Sequence, residues 1–198
     1  EAIIPGLLKR WYAERQEMQQ KMRDCGDNEI EREYWDKRQL VKKINLNSLY
    51  GAILNPGCRF FDIRIGQSVT LTGRCITKHM ASKVNEIVAG KYDHKGESIV
   101  YGDTDSVYFT AHKTLKKEIQ EGTIPWTKDS VVALYDKISD EVNTSFKAFM
   151  TRAFHTPSTR GEVIAAGREL VASKGLFITK KRYAVLYYDK EGERTDVE

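Results

Sequence analysis

Cysteine is scarce in this 198-residue chain: three residues, Cys25, Cys58 and Cys75, lie far apart and without metal-type spacing. Zinc modules and disulfide frameworks need closely spaced or evenly counted thiols, so neither class fits. An odd, scattered set reads as free thiols in a reducing compartment. No run of 18 apolar residues occurs, so no membrane span is expected. The opening Glu1-Ala2-Ile3-Ile4-Pro5 lacks a basic n-region and does not read as a signal peptide. Internal repeats and low-complexity tracts are absent as well, which excludes solenoids and disordered linkers. Excess charge of one sign is small: 32 Lys and Arg stand against 28 Asp and Glu, for a net +4. That balance permits nucleic-acid binding without demanding it. What is present, 40% hydrophobic and 30% charged residues, is ordinary for a soluble globular chain. The length suits one large domain, or one with a small excursion, and can bury a real core.

Two carboxylates stand out against this background. Asp103 and Asp105 lie two residues apart within the apolar, β-branched and aromatic run Ile99-Val100-Tyr101-Gly102-Asp103-Thr104-Asp105-Ser106-Val107-Tyr108-Phe109. In an extended strand, side chains at i and i+2 share a face. A tight turn between two short strands also brings both acids together, at a hairpin tip. Either geometry sets like charges side by side at the edge of a core, which is unfavourable unless a cation neutralises them. Hard oxygen ligands suit Mg²⁺, which takes one or two protein carboxylates and leaves positions for water and phosphate. Most lone D-x-D pairs are turns or solvated caps. Strand-like sequence on both sides sets this one apart and points to phosphoryl-transfer chemistry.

A second segment is Lys42-Lys43-Ile44-Asn45-Leu46-Asn47-Ser48-Leu49-Tyr50-Gly51. Its apolar positions fit one helix face, and Lys43 and Asn47, four apart, share a stripe. A cation and an amide one turn apart suit a triphosphate and its sugar. Tyr50 then offers a flat ring beside Gly51, where backbone can approach closely.

The pattern along the chain predicts an α+β fold. Residues 5 to about 54 read as two long helices broken at Cys25-Gly26-Asp27-Asn28, hence an αα-hairpin that ends at Asn55-Pro56-Gly57. A helix is expected over roughly 66–89, then the strand pair around the two acids. Residues 113–155 read mainly as helix, with Val131, Val132, Leu134, Ile138, Val142, Phe146 and Met150 at helical steps between Lys128 and Phe154. Strands are expected at Val163–Ala166, Leu176–Thr179 and Tyr183–Tyr188, with a turn over Asp189-Lys190-Glu191-Gly192. Helices packed on one face of a small antiparallel sheet make the layer.

In combination and in this order, the motifs resemble those of the family B DNA polymerases. Lys43-x-x-x-Asn47-Ser48-Leu49-Tyr50-Gly51 resembles the family's K-x-x-x-N-S-x-Y-G, and Tyr101-Gly102-Asp103-Thr104-Asp105-Ser106 resembles its Y-G-D-T-D-S. Ser173-Lys174-Gly175 followed by Lys180-Lys181-Arg182-Tyr183-Ala184 resembles the K-K-R-Y segment that contacts the primer–template duplex. Arg59-Phe60-Phe61-Asp62-Ile63-Arg64 and the stretch Lys83-Val84-Asn85-Glu86 are similar to the T-even bacteriophage branch.

The resemblance implies a replicative DNA-dependent DNA polymerase that transfers a nucleotide from dNTP to a primer 3′ hydroxyl with two Mg²⁺ ions. Residues 1–54 would be fingers and 55–198 a partial palm. Asp105 would bridge both metals and Asp103 would assist, with Gly102 letting the turn form and Thr104 pointing into packing. Lys43 would meet the triphosphate as a catalytic cation, Asn47 would orient the nucleotide, and Tyr50 would face the minor groove of the nascent pair. Tyr50, Gly51, Lys174, Lys180, Lys181, Arg182 and Tyr183 would contact DNA. Arg15 falls on the fingers Arg that grips the triphosphate; where the family usually has a Lys four residues on, this chain has Gln19, with Lys21 two further along. Glu162 aligns with an acid near the metals in the phage branch.

The family's first metal motif, D-x-x-S-L-Y-P, is absent, as are exonuclease and thumb. Asp62 lacks the S-L-Y-P that would follow it. A fragment or split subunit is therefore expected, inactive alone, with another polypeptide or segment supplying the first catalytic Asp, the exonuclease and the thumb. The location implied is cytoplasmic, that of the host cell for a viral chain. The alternative is a non-catalytic DNA- or partner-binding module that keeps the scaffold; intact Asp103, Asp105, Lys43, Asn47 and Tyr50 weigh against it. A nuclease would need no Lys-x-x-x-Asn helix, and the paired acids of a reverse transcriptase are adjacent.

Overall fold

The computed structural model describes residues 2–190 and 192–194. Two compact units divide within a long helix, one formed by residues 1–71 and the other by 72–198.

The first unit is built on helices α1 (Ile3–Asp24) and α2 (Glu29–Ile53). α1 runs out at Cys25-Gly26, where Gly26 takes φ +54°, a conformation that costs a glycine little. Asn28 then caps α2, its side chain accepting from the Glu31 N–H while its own amide donates to the Glu31 carboxylate. The helices are tied by Arg15 Nε donating to Gln39 Oε1 at 3.1 Å and by Lys42 Nζ on Glu14 at 2.5 Å. That hydrogen bond from Lys42 holds the Glu14 carboxyl below its ordinary range. α1 has no buried residue and α2 only Ile53. The pair is thus a largely solvated hairpin held by partly buried stripes and side-chain pairs. Beyond it, Asp62 starts α3 (Ile63–Ala89) as a cap: it accepts from the Arg64 backbone N–H and guanidinium, and the side-chain bond to Arg64 holds its carboxyl at about 2. α2 and the start of α3 approach closely at Gly66, whose backbone oxygen accepts from the Tyr50 hydroxyl at 3.3 Å. A Cβ there would fall 2.0 Å from Leu54 Cδ2.

The second unit begins with the rest of α3. It continues with the antiparallel pair β1 (Ile99–Asp103) and β2 (Ser106–Phe109), then α4 (Lys116–Gln120), α5 (Lys128–Phe154) and α6 (Ser158–Gly161). A three-stranded antiparallel sheet closes the unit: β3 (Leu170–Thr179), β4 (Arg182–Lys190) and β5 (Glu193–Arg194), in that spatial order. α5 opens with a reciprocal cap between Thr127 and Ser130. Its buried stripe, Ile138, Val142 and Phe146, meets Val84 of α3, with Met80, Ile99 and Phe109 packed around them. Helices and antiparallel strands segregate, so the fold is α+β as the sequence predicts.

Three local expectations fail. Val163–Ala166 is not a strand. Its backbone is claimed by a side chain: Asn143 of α5 donates to Ala166 O at 2.9 Å and accepts from Ala166 N at 2.7 Å. That amide satisfies the backbone groups a neighbouring strand would otherwise pair. β3 begins earlier than expected, at Leu170 rather than Leu176, and β4 runs on to Lys190, so that Asp189 and Lys190 of the expected turn are strand; Glu191 of that turn lies outside the described residues.

Candidate active site

Asp103 ends β1 and Ser106 begins β2, so the two acids flank and occupy a two-residue turn of Thr104 and Asp105. The hairpin alternative is the one realised. Thr104 carries the conformational burden, at φ +47°. A β-branched residue in the left-handed region costs on the order of 1–3 kcal/mol and persists only where surroundings enforce it. Three contacts enforce it. Thr77 Oγ1 on α3 donates to Thr104 O at 3.0 Å, Ser106 Oγ donates to Asp103 O at 3.0 Å, and Thr104 Oγ1 donates to Asp103 Oδ1 at 3.1 Å. Thr104 is therefore exposed at the tip, bracing a carboxylate, rather than pointing into packing. Gly102 lies in the strand, where a Cβ would sit 3.4 Å from Ser106 O.

The acids differ in surroundings. The Asp103 carboxylate is 22% exposed and lies 3.5 Å from Lys181 Nζ. Asp105 is exposed and lines a cavity of about 590 Å³. That cavity runs between β2 and the 165–177 segment, over Val84, Ile138 and Val142, and Lys174 also lines it. Among the described residues no hydrogen bond or ion pair engages Asp105, and no group of three or more His, Cys, Asp or Glu side chains gathers as a metal cage. Two hard carboxylates at an open tip fit Mg²⁺, which asks for one or two such ligands and keeps the rest of its sphere for water and phosphate.

A second hairpin faces the first. β3 and β4 are joined by Lys180 and Lys181, with Thr179 paired to Arg182. Lys181 takes φ +64° and donates its backbone N–H to Tyr101 Oη at 2.8 Å. Tyr101, Tyr108, Phe177 and Tyr183 form one aromatic cluster between the hairpins, with ring centroids 5.2–5.8 Å apart. The Tyr108 hydroxyl donates to Tyr183 Oη at 2.8 Å, and burial followed by that bond pushes Tyr108 well above the ordinary tyrosine range. Lys174, Lys180, Lys181 and Arg182 are all exposed. The structure thus brings together Asp103, Asp105, Lys181 and Tyr183. Sequence reasoning missed the role of Tyr101 in holding the basic turn. The signal was present, since Tyr101 and Asp103 share a strand face at i and i+2.

Glu162 lies elsewhere, at the C-terminal cap of α6, paired with Lys147 of α5. In the first unit, Lys43 and Asn47 are exposed on α2, with Gly51 one turn beyond in open space. Tyr50 is half-buried through its bond to Gly66. Arg15 is engaged by Gln39. Lys21 lies over the Trp35 ring, 4.7 Å from its centroid, and Gln19 is half-buried beside it in sequence.

Residues 1–198 match the family described as DNA polymerase family B. The chain belongs to that family. It is 31% identical over 166 residues to the DNA-directed DNA polymerase of Escherichia phage RB69, covering 79% of the chain and 18% of that polymerase. The corresponding enzyme of Enterobacteria phage T4 is 30% identical over 168 residues, again 79% of the chain and 18% of the relative. A DNA polymerase of Pyrococcus glycovorans is 29% identical over 191 residues, 96% of the chain and 20% of its own length. The chain therefore spans about a fifth of the length of the polymerases it matches. Within this family B chain, the Lys43–Gly51 motif lies on one helix of the first unit and the acidic and basic hairpins lie in the second. No helix among the described residues is long and apolar enough to cross a membrane.

Proposed function

We propose that these residues form the fingers and palm portion of a replicative DNA-dependent DNA polymerase, which adds a dNTP to a primer 3′ hydroxyl. One observation carries the reading: in a family B chain, two carboxylates stand at an enforced hairpin tip directly beside a basic hairpin turn. The α1–α2 hairpin is the fingers element and the remainder is palm.

Asp103 and Asp105 are the residues that would hold Mg²⁺. When bound, the two ions supply activation of the primer hydroxyl and stabilisation of the leaving pyrophosphate. The chain's own groups do the rest. Lys43 places a positive charge against the triphosphate, and Asn47, one turn along, orients the nucleotide. Tyr50 meets the minor-groove side of the nascent pair, where the acceptor pattern is nearly degenerate and all four pairs are tolerated. Lys174, Lys180, Lys181 and Arg182 grip duplex phosphates without reading sequence. Arg15, bonded to Gln39 in this structure, adds charge on the fingers for the triphosphate. A third acid comes from a segment outside these residues, and exonuclease and thumb likewise.

The test is Asp105→Ala in the polymerase that contains these residues. Nucleotide addition in Mg²⁺ should fall by about a thousandfold or more, the size of a lost metal ligand worth several kcal/mol. Duplex affinity, read by fluorescence anisotropy, should stay within about twofold, because Asp105 meets metal rather than DNA. Near-normal addition rates would remove Asp105 from the reaction.

A further inference from the structure

The basic hairpin does more than lie near the acids. Lys181 sits at a strained backbone position, φ +64°, in a two-residue turn where glycine is the usual choice. Its N–H is held by Tyr101 Oη at 2.8 Å, and Tyr101 is itself fixed by the ring cluster with Tyr108, Phe177 and Tyr183. Asp103 is two residues from Tyr101 on the same strand face. The clamp therefore places the Lys181 ammonium 3.5 Å from Asp103 Oδ2. Among the described residues Lys181 is the one cation paired with either acid.

We infer that Lys181 is the resident counter-charge of Asp103, held there by Tyr101, and that a divalent cation arriving at the acidic tip displaces it and frees its ammonium for a duplex phosphate. This rests on the metal-site reading above. A divalent ion ligated by Asp103 cancels much of the negative charge that attracts the ammonium, so the ion pair weakens when metal binds. The Lys181 side chain is 68% exposed, so swinging it away costs little. The exchange has two results. It keeps the acidic pair from standing uncompensated before metal arrives. It also couples metal to duplex: whatever factor metal adds to duplex affinity through Lys181, duplex must add to metal affinity. Tyr101 acts as a positioning residue, through the turn it holds.

The direct probe is Mn²⁺ alone, titrated into the 198-residue chain with free ion read by electron paramagnetic resonance. Lys181→Met should tighten Mn²⁺ binding about three- to fivefold, the size of an exposed ion pair. Tyr101→Phe, which removes no charge, should shift affinity in the same direction by about twofold, since a loosened turn no longer presents the ammonium. A merely structural tyrosine would weaken the site instead. Lys180→Met removes the same charge one residue away and should change affinity less than either. In a paired measurement, Mn²⁺ should tighten binding of a primer–template duplex to the parent chain and fail to do so in Lys181→Met. Equal effects of Lys180→Met and Lys181→Met would reduce the result to net charge and overturn the exchange. So would unchanged Mn²⁺ affinity in both Lys181→Met and Tyr101→Phe. Asp103→Asn and Asp105→Asn separate the two levels. If the parent chain binds no Mn²⁺, or these variants bind as well as the parent, the metal-site reading itself fails and the exchange fails with it.

Discussion

Lys43 and His79 show how differently two titratable side chains can be used. Lys43 is exposed on α2, and among the described residues no hydrogen bond or ion pair engages its side chain. Lys43→Ala should lower nucleotide incorporation by roughly a hundredfold, as removal of one transition-state charge contact does. Duplex affinity should be nearly unchanged; lost affinity with unchanged turnover would make Lys43 a backbone contact. His79 is 8% exposed, stacked on Phe149 at 3.9 Å. Ser145 Oγ already donates to Val142 O, so His79 Nε2 donates to Ser145 Oγ and Nδ1 accepts from the Tyr92 hydroxyl. Burial, reinforced by Lys83, holds its pKa below the ordinary 6.5. The unfolded chain therefore takes up a proton that the folded chain refuses. This contribution to stability is complete above pH 6.5 and is lost as pH falls through the lower folded value. Urea unfolding at pH 7.5 and 5.5 should show a steeper loss in the parent than in His79→Gln; parallel losses would mean that His79 is not the group responsible. Asp103, Asp105, Lys43, Asn47 and the basic run were singled out in the sequence by residue type and spacing, and the structure places the acids and Lys181 at two hairpin turns. Tyr101 and Thr104 were legible only as members of a motif. Their roles depend on which hairpin faces which; the i, i+2 spacing puts Tyr101 and Asp103 on one face without saying what that face meets.

Elements were legible where periodicity was strong. The helix read from Lys128 to Phe154 forms over those residues, because its apolar steps, its Thr127 cap and the Pro157 beyond it agree. The helical hairpin broke where Gly26 and Asn28 said it would. Val163–Ala166 was misread because the partner of that β-like run is a single amide, Asn143, 23 residues away from Ala166. A similar device shapes the loop between α3 and β1. Asn85 is 1% exposed; it donates to Lys91 O at 2.7 Å and accepts from Ser98 N at 3.2 Å. Gly96 lies against it, so that a Cβ there would fall 2.1 Å from the amide. Asn85→Ala leaves two backbone groups without their partner and should cost about 2–4 kcal/mol of folding stability in urea titrations. A loss under 0.5 kcal/mol, within the range of about ±0.5 kcal/mol seen for ordinary surface substitutions, would show that water replaces the amide freely.

At the scale of the whole molecule, the chain holds two acids at one hairpin tip and, among the described residues, no third acid gathered with them. It also spans about a fifth of its polymerase relatives. The two-metal site proposed for these residues is short of a ligand on its own, whereas the cations proposed to grip the duplex, Lys174, Lys180, Lys181 and Arg182, are exposed. Binding and synthesis should therefore separate. The decisive measurement is primer extension by the 198-residue chain in Mg²⁺, run beside duplex binding across a salt series. The expected result is weak binding whose log–log salt slope is about −3, as for three or four neutralised phosphates, with no primer extended. Template-directed synthesis by the chain alone would contradict the account, because it would mean that a carboxylate assigned here to other work, Asp62 capping α3 or Glu162 paired with Lys147, completes the site.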